Sequence, residues 1–133
     1  MIKDLLLKQL RQELTAASQM AFSAGFAKDP SLRKAFLEFA KDELEYFTNV
    51  ANILAKMGHS ARLEPLEITL EQDELKALIL LDAMEDTMIH YYEEMITELK
   101  EPFRTEIKRQ VSEEKDHKET MRELLDRAKK GKR

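Results

Sequence analysis

The chain has 133 residues, enough for one ordinary domain and too few for two full cores. Three Gly, three Pro and two Val leave little material for a turn-rich all-β architecture, while Ala, Leu, Met, Glu, Lys, Gln and Arg favour long helices. A net charge of -4 argues against a general nucleic-acid binder, and the absence of cysteine excludes disulfides, thiolate metal sites and cysteine nucleophiles. Any metal here would be held by oxygen and nitrogen.

In chain order, the first helix is expected near residues 3–27, ending where Asp29-Pro30 supplies an N-cap and a first-turn proline for the second, near 31–57. A long break follows, residues 58–71, containing Gly58, His59, Ser60 and Pro65. The third helix is expected near 72–99, and Glu101-Pro102 separates it from the fourth, near 103–129. Residues 127–133 form a basic tail that reads as favourable charge at a helix C-terminus. The longest wholly apolar run, Ala77 to Leu81, is far too short to span a bilayer, so a soluble, cytosolic protein is expected, 1–133 forming a single domain.

Short links fold neighbouring helices back on each other, but about 14 extended residues reach about 46 Å, the full length of such a bundle. The second and third helices are therefore expected to run parallel. The fold class is all-α, a ferritin-like four-helix bundle with one long crossover between helices two and three, held down by Leu63, Leu66, Ile68 and Leu70.

Buried seams at spacings of three and four can then be read along each helix. The first is Leu6, Leu10, Glu13, Ala17, Met20, Ala24 and Ala27; the second is Leu32, Phe36, Phe39, Glu43, Tyr46, Val50, Ile53 and Met57. The third is Leu75, Leu78, Asp82, Glu85, Ile89, Tyr92, Ile96 and Leu99, where Asp82 competes with Leu81 for the inner position. The fourth is Phe103, Ile107, Gln110, Glu114, His117, Met121, Leu124 and Ala128.

Each seam carries a glutamate within about one turn of its helix midpoint, so Glu13, Glu43, Glu85 and Glu114 are expected in one layer. Two carboxylates about 5 Å apart repel by about 3 kcal/mol even at an effective dielectric of 20. Several such pairs, with desolvation added, would rival the stability of a whole domain. No Lys or Arg falls on the seams at this height, whereas His117 stands one turn after Glu114 on the same face. Glu-x-x-His lets a carboxylate and an imidazole grip one ion, and four carboxylates suit a pair of iron or manganese ions.

The chain also looks internally repeated. Glu13 and Glu43 are 30 residues apart, Glu85 and Glu114 are 29 apart, and residues 42–46 align acid for acid with residues 113–117. In that alignment Tyr46 takes the place of His117. It is open to three roles: phenolate ligand, hydrogen-bond partner of a bridging carboxylate, or packing residue with a buried hydroxyl.

A Glu, then Glu-x-x-(His), then Glu, then Glu-x-x-His across four helices resembles the ferritin-like superfamily of dimetal carboxylate proteins, nearest its rubrerythrin-like and bacterioferritin-like branches. The resemblance covers the whole chain; Phe39-Ala40-Lys41-Asp42-Glu43 and Tyr92 also match it. It implies Glu13 and Glu85 as terminal ligands, Glu43 and Glu114 as bridges, and His117 as a ligand to one ion. Two departures stand out: Tyr46 replaces a histidine, and Met88 stands where a rubrerythrin has a further glutamate.

Three functions follow as expectations. The first is an oxidoreductase in which two irons, or manganese, act on peroxide or dioxygen, with electrons from a separate donor protein or from ferrous iron. The second is a ferroxidase or other iron-handling protein, and the third a non-enzymatic bundle whose metal site has degraded. No nucleic-acid or membrane partner is expected. A homodimer is, with Phe22, Phe26, Phe47 and Leu81 available for an outer face. His59 and His90 read as solvated side chains, and Met20, Met57, Met88 and Met121 as core.

Overall fold

A computed structural model describes residues 2–64 and 66–131 and contains four helices, with no strand among them: α1 (Ile2–Phe26), α2 (Pro30–Lys56), α3 (Glu74–Glu98) and α4 (Phe103–Gly131). No helix among the described residues is long and apolar enough to cross a membrane. Pro65 and the last two residues of the basic tail lie outside the described residues.

The helix ends follow from local chemistry. Asp29 caps α2, its side chain accepting from Ser31 N at 2.9 Å, with Pro30 in the first turn. The same helix closes on Gly58 at φ 80°, a left-handed conformation that glycine adopts without steric cost, so that His59 N reaches Leu54 O at 3.1 Å. Asp73 caps α3 through Lys76 N at 3.0 Å, and Glu101 accepts from Thr105 N at 2.8 Å in the first turn of α4.

The core divides into two apolar clusters. Leu6 and Leu10 of α1, Val50, Ile53 and Leu54 of α2, Tyr92 and Met95 of α3 with Leu99 at its C-cap, and Ile107 and Val111 of α4 form one. Ala16, Met20 and Ala24 of α1, Phe36 and Phe39 of α2, Leu78, Leu81 and Met88 of α3, and Met121 and Leu125 of α4 form the other. Each helix thus contributes to both clusters; in α1, α2 and α4 the central glutamate falls between the two contributions, whereas in α3 Met88 carries the second-named cluster one turn past Glu85.

The connection from α2 to α3 is tied to α1. Gln19, itself buried, donates to Thr69 O at 2.7 Å and accepts from Thr69 N at 2.9 Å, Arg11 pairs with Glu64 at 3.0 Å, and Leu63 packs on the first-named cluster. Leu70 and Ile68 are exposed, so they do not pin this segment as expected; the paired hydrogen bonds of Gln19 do. Among the helix pairs, α1 lies most closely on α2, α3 on α4 and α1 on α3, whereas α2 and α4 meet sparsely and leave a cleft along their seam.

The expected seams of α1 and α2 are buried throughout, apart from partly buried Met57. In α3 the phase needs correction: Leu81 is the inner residue, and Asp82 turns to the flank, where with Asp86 it pairs with Lys118 of α4. Leu81 is therefore unavailable to an outer face. Phe47 is half-buried against the core, while Phe22 and Phe26 stack on each other at 4.9 Å, with Phe26 exposed.

Candidate metal centre

Glu13, Glu43, Glu85 and Glu114 are each 0% exposed, one from each helix, between the two apolar clusters. His117 is 8% exposed and joins them. Ligand atoms from Glu43, Glu85, Glu114 and His117 all lie within 4.8 Å of one another, so this buried group could hold a metal ion. Glu13 stands outside that tightest set, yet its charge is felt at both Glu43 and Glu114.

The imidazole is fixed by a residue the seam does not contain. His117 Nε2 lies 2.9 Å from Asp42 Oδ2, at the partly exposed flank of α2, while Nδ1 points inward, 3.6 Å from Glu43 Oε1 and 4.0 Å from Glu85 Oε1. A carboxylate on one ring nitrogen holds the proton there and leaves the other free to ligate. Phe39 packs on the ring, with centroids 5.0 Å apart, and Tyr46 lies on it at 5.9 Å.

Buried polar atoms ordinarily have partners. Here Glu13 Oε2, both oxygens of Glu43, Glu85 and Glu114, and His117 Nδ1 have none, although every one is withdrawn from solvent. Glu13 Oε1 alone is engaged, accepting from Gln9 Nε2 at 3.2 Å. Hard oxygen donors with one imidazole nitrogen, converging and unpartnered, form a donor set that suits a metal cation.

Burial is the main cause that pushes all four carboxyls well above their ordinary value of 4.5. Negative neighbours push further: Glu85 acts on Glu43, Glu43 on Glu114, and Glu114 on Glu85. Without a cation the cluster therefore keeps protons, and a bound cation would displace them. Burial likewise raises the Tyr46 phenol above its ordinary range, with Glu113, Glu114 and Asp42 adding to the shift, so it stays neutral.

A cleft of about 320 Å³ opens over His117, lined by Asp42, Glu45, Tyr46, Arg109, Glu113 and Asp116. The other sequence candidates lie apart from the centre. His90 is exposed and pairs with Glu94 at 2.7 Å, and His59 is half-buried in the connection after α2. Gln110 is buried in a polar chain, accepting from Asn49 at 2.7 Å and donating to the Tyr92 hydroxyl at 3.0 Å.

No protein-family model matches the chain, and no curated protein matches its sequence.

Proposed function

We propose that this chain is a dimetal carboxylate protein with the ferritin-like one-crossover topology, an oxidoreductase that holds two irons, or manganese, and acts on peroxide or dioxygen. The carrying observation is the convergence of unpartnered buried donors, seven carboxylate oxygens and His117 Nδ1, between two apolar clusters. Glu85, Glu114 and His117 would hold one ion, Glu13 the other, with Glu43 and Glu114 shared. When bound, an iron pair supplies the electrons that reduce the oxygen species.

The protein's own residues supply the setting. The clusters above and below exclude bulk water from the carboxylates. Asp42 keeps the Nε2 proton and holds the ring with Nδ1 inward. The cleft over His117, about 320 Å³, has room for a diatomic molecule or peroxide beside the imidazole. Electrons come from a separate donor protein or from ferrous iron itself.

One observation favours a second reading, iron handling by a ferroxidase: the cleft is acidic, with Asp42, Glu45, Glu113 and Asp116 against one Arg109, and so favours an approaching cation. Metal analysis of protein purified without chelator, followed by near-ultraviolet absorbance after ferrous loading in air, tests the common ground. Iron or manganese near two per chain is expected, and Glu114→Ala should lose most of it. A metal-free protein that takes up neither ion would overturn the proposal. Peroxide consumption measured against ferrous-iron oxidation then separates the two readings.

A further inference from the structure

The two hairpins are matched in their acids but not in their nitrogen donor. On one side, His117 Nδ1 faces Glu43, Glu85 and Glu114 within the tight 4.8 Å group. On the other, the equivalent position is Tyr46, whose ring lies on His117 and lines the outer cleft. Tyr46 shares that cleft with Glu113, which Arg109 holds at 2.8 Å. Glu13 is half committed, since Gln9 occupies Oε1 and leaves Oε2 alone unpartnered.

We propose, resting on the dimetal reading above, that the two metal positions are unequal: the His117 position takes a nitrogen-favouring transition ion first, and the Glu13 position is an all-oxygen site for a hard divalent cation, with Tyr46 setting the difference. Imidazole raises the preference for ions late in the divalent series, whereas carboxylates alone discriminate weakly and accept Mn²⁺ or Mg²⁺. Glu43 and Glu114 are shared by the two positions, so an ion at His117 also withdraws part of the negative charge that the second would meet. That electrostatic penalty would exist in a symmetric centre too. The ligand difference is what makes the positions select different ions.

The test uses Co²⁺ and Mn²⁺ on full-length protein stripped with a chelator and checked for helicity by circular dichroism. Calorimetric titration with Co²⁺ should show two steps whose affinities differ by about tenfold or more. Equilibrium dialysis against two equivalents of Co²⁺ with a large excess of Mn²⁺ should leave one Co²⁺ and one Mn²⁺ per chain. Glu13→Gln should lose the weak step and keep the tight one. Tyr46→His should draw the two Co²⁺ affinities together and replace the bound Mn²⁺ by Co²⁺.

Two Co²⁺ per wild-type chain under that competition would overturn the inequality while leaving the dimetal reading intact. A single Co²⁺ with no second step, unchanged by Glu13→Gln, would overturn both the inequality and the dinuclear count. Failure to bind either ion would overturn the metal reading altogether. If Tyr46→His does not fold, Glu13→Gln and the wild-type competition still decide the matter.

Discussion

Asp42 shows how much one flanking side chain controls. Its contact with His117 Nε2 at 2.9 Å is what leaves Nδ1 facing the carboxylates rather than the cleft. Asp42→Ala frees the ring to turn and should weaken metal binding about 10–100-fold, with the helical content unchanged; calorimetry checks this. His117→Ala, which removes the donor itself, should weaken it at least as much. An Asp42→Ala protein of wild-type affinity would show that packing by Phe39 and Tyr46 orients the ring alone. The glutamates were legible in the sequence because a charged residue on an otherwise apolar seam is expensive unless compensated. Asp42 sits one residue off the seam, and its partnership needs the approach of α4 to α2, which no local pattern encodes.

At the scale of elements, helix existence, order and the long connection follow from punctuation and period. The phase of α3 does not. That helix packs on α1 and α4 together, so it buries a wide stripe including Ala77, Leu78, Leu81, Met88 and Met95, and a narrow three-four spacing admits Asp82 or Leu81 equally. Lys118 decides between them by drawing Asp82 outward at 3.1 Å. The connection before α3 offers a similar lesson, because its apolar Leu70 is exposed while buried Gln19 fastens Thr69 by both amide atoms. Gln19→Ala should cost about 1–2 kcal/mol, the value of two hydrogen bonds whose backbone partner can rehydrate. Hydrogen exchange at Thr69 should quicken much more than at the core amides of α1, whereas uniform quickening would mean that the clasp supports the whole bundle.

For the whole molecule, the carboxylate layer lies within the apolar core and ties stability to pH. The folded carboxyls of Glu13, Glu43, Glu85 and Glu114 hold their protons above the ordinary value of 4.5 at which an unfolded chain releases them. Above that pH the native state binds more protons than the unfolded one, so unfolding free energy falls as pH rises. The layer's contribution is thus fully present below about 4.5 and is lost as pH climbs through the raised folded values. Each extra proton held corresponds to a slope of about 1.4 kcal/mol per pH unit. On the proposed metal reading, bound ions would reverse the sense, because they replace the protons and bind more tightly as competition from protons declines. Melting curves of stripped and iron- or manganese-loaded protein should therefore diverge between about pH 5 and pH 8, the loaded form gaining several degrees in Tm at the upper end. Glu114→Gln, which substitutes a neutral side chain of the same shape, should flatten the pH dependence of the stripped protein while lowering its metal content. Parallel melting curves across that range would mean that the four carboxyls ionise without cost, and so that they do not meet inside the bundle in solution.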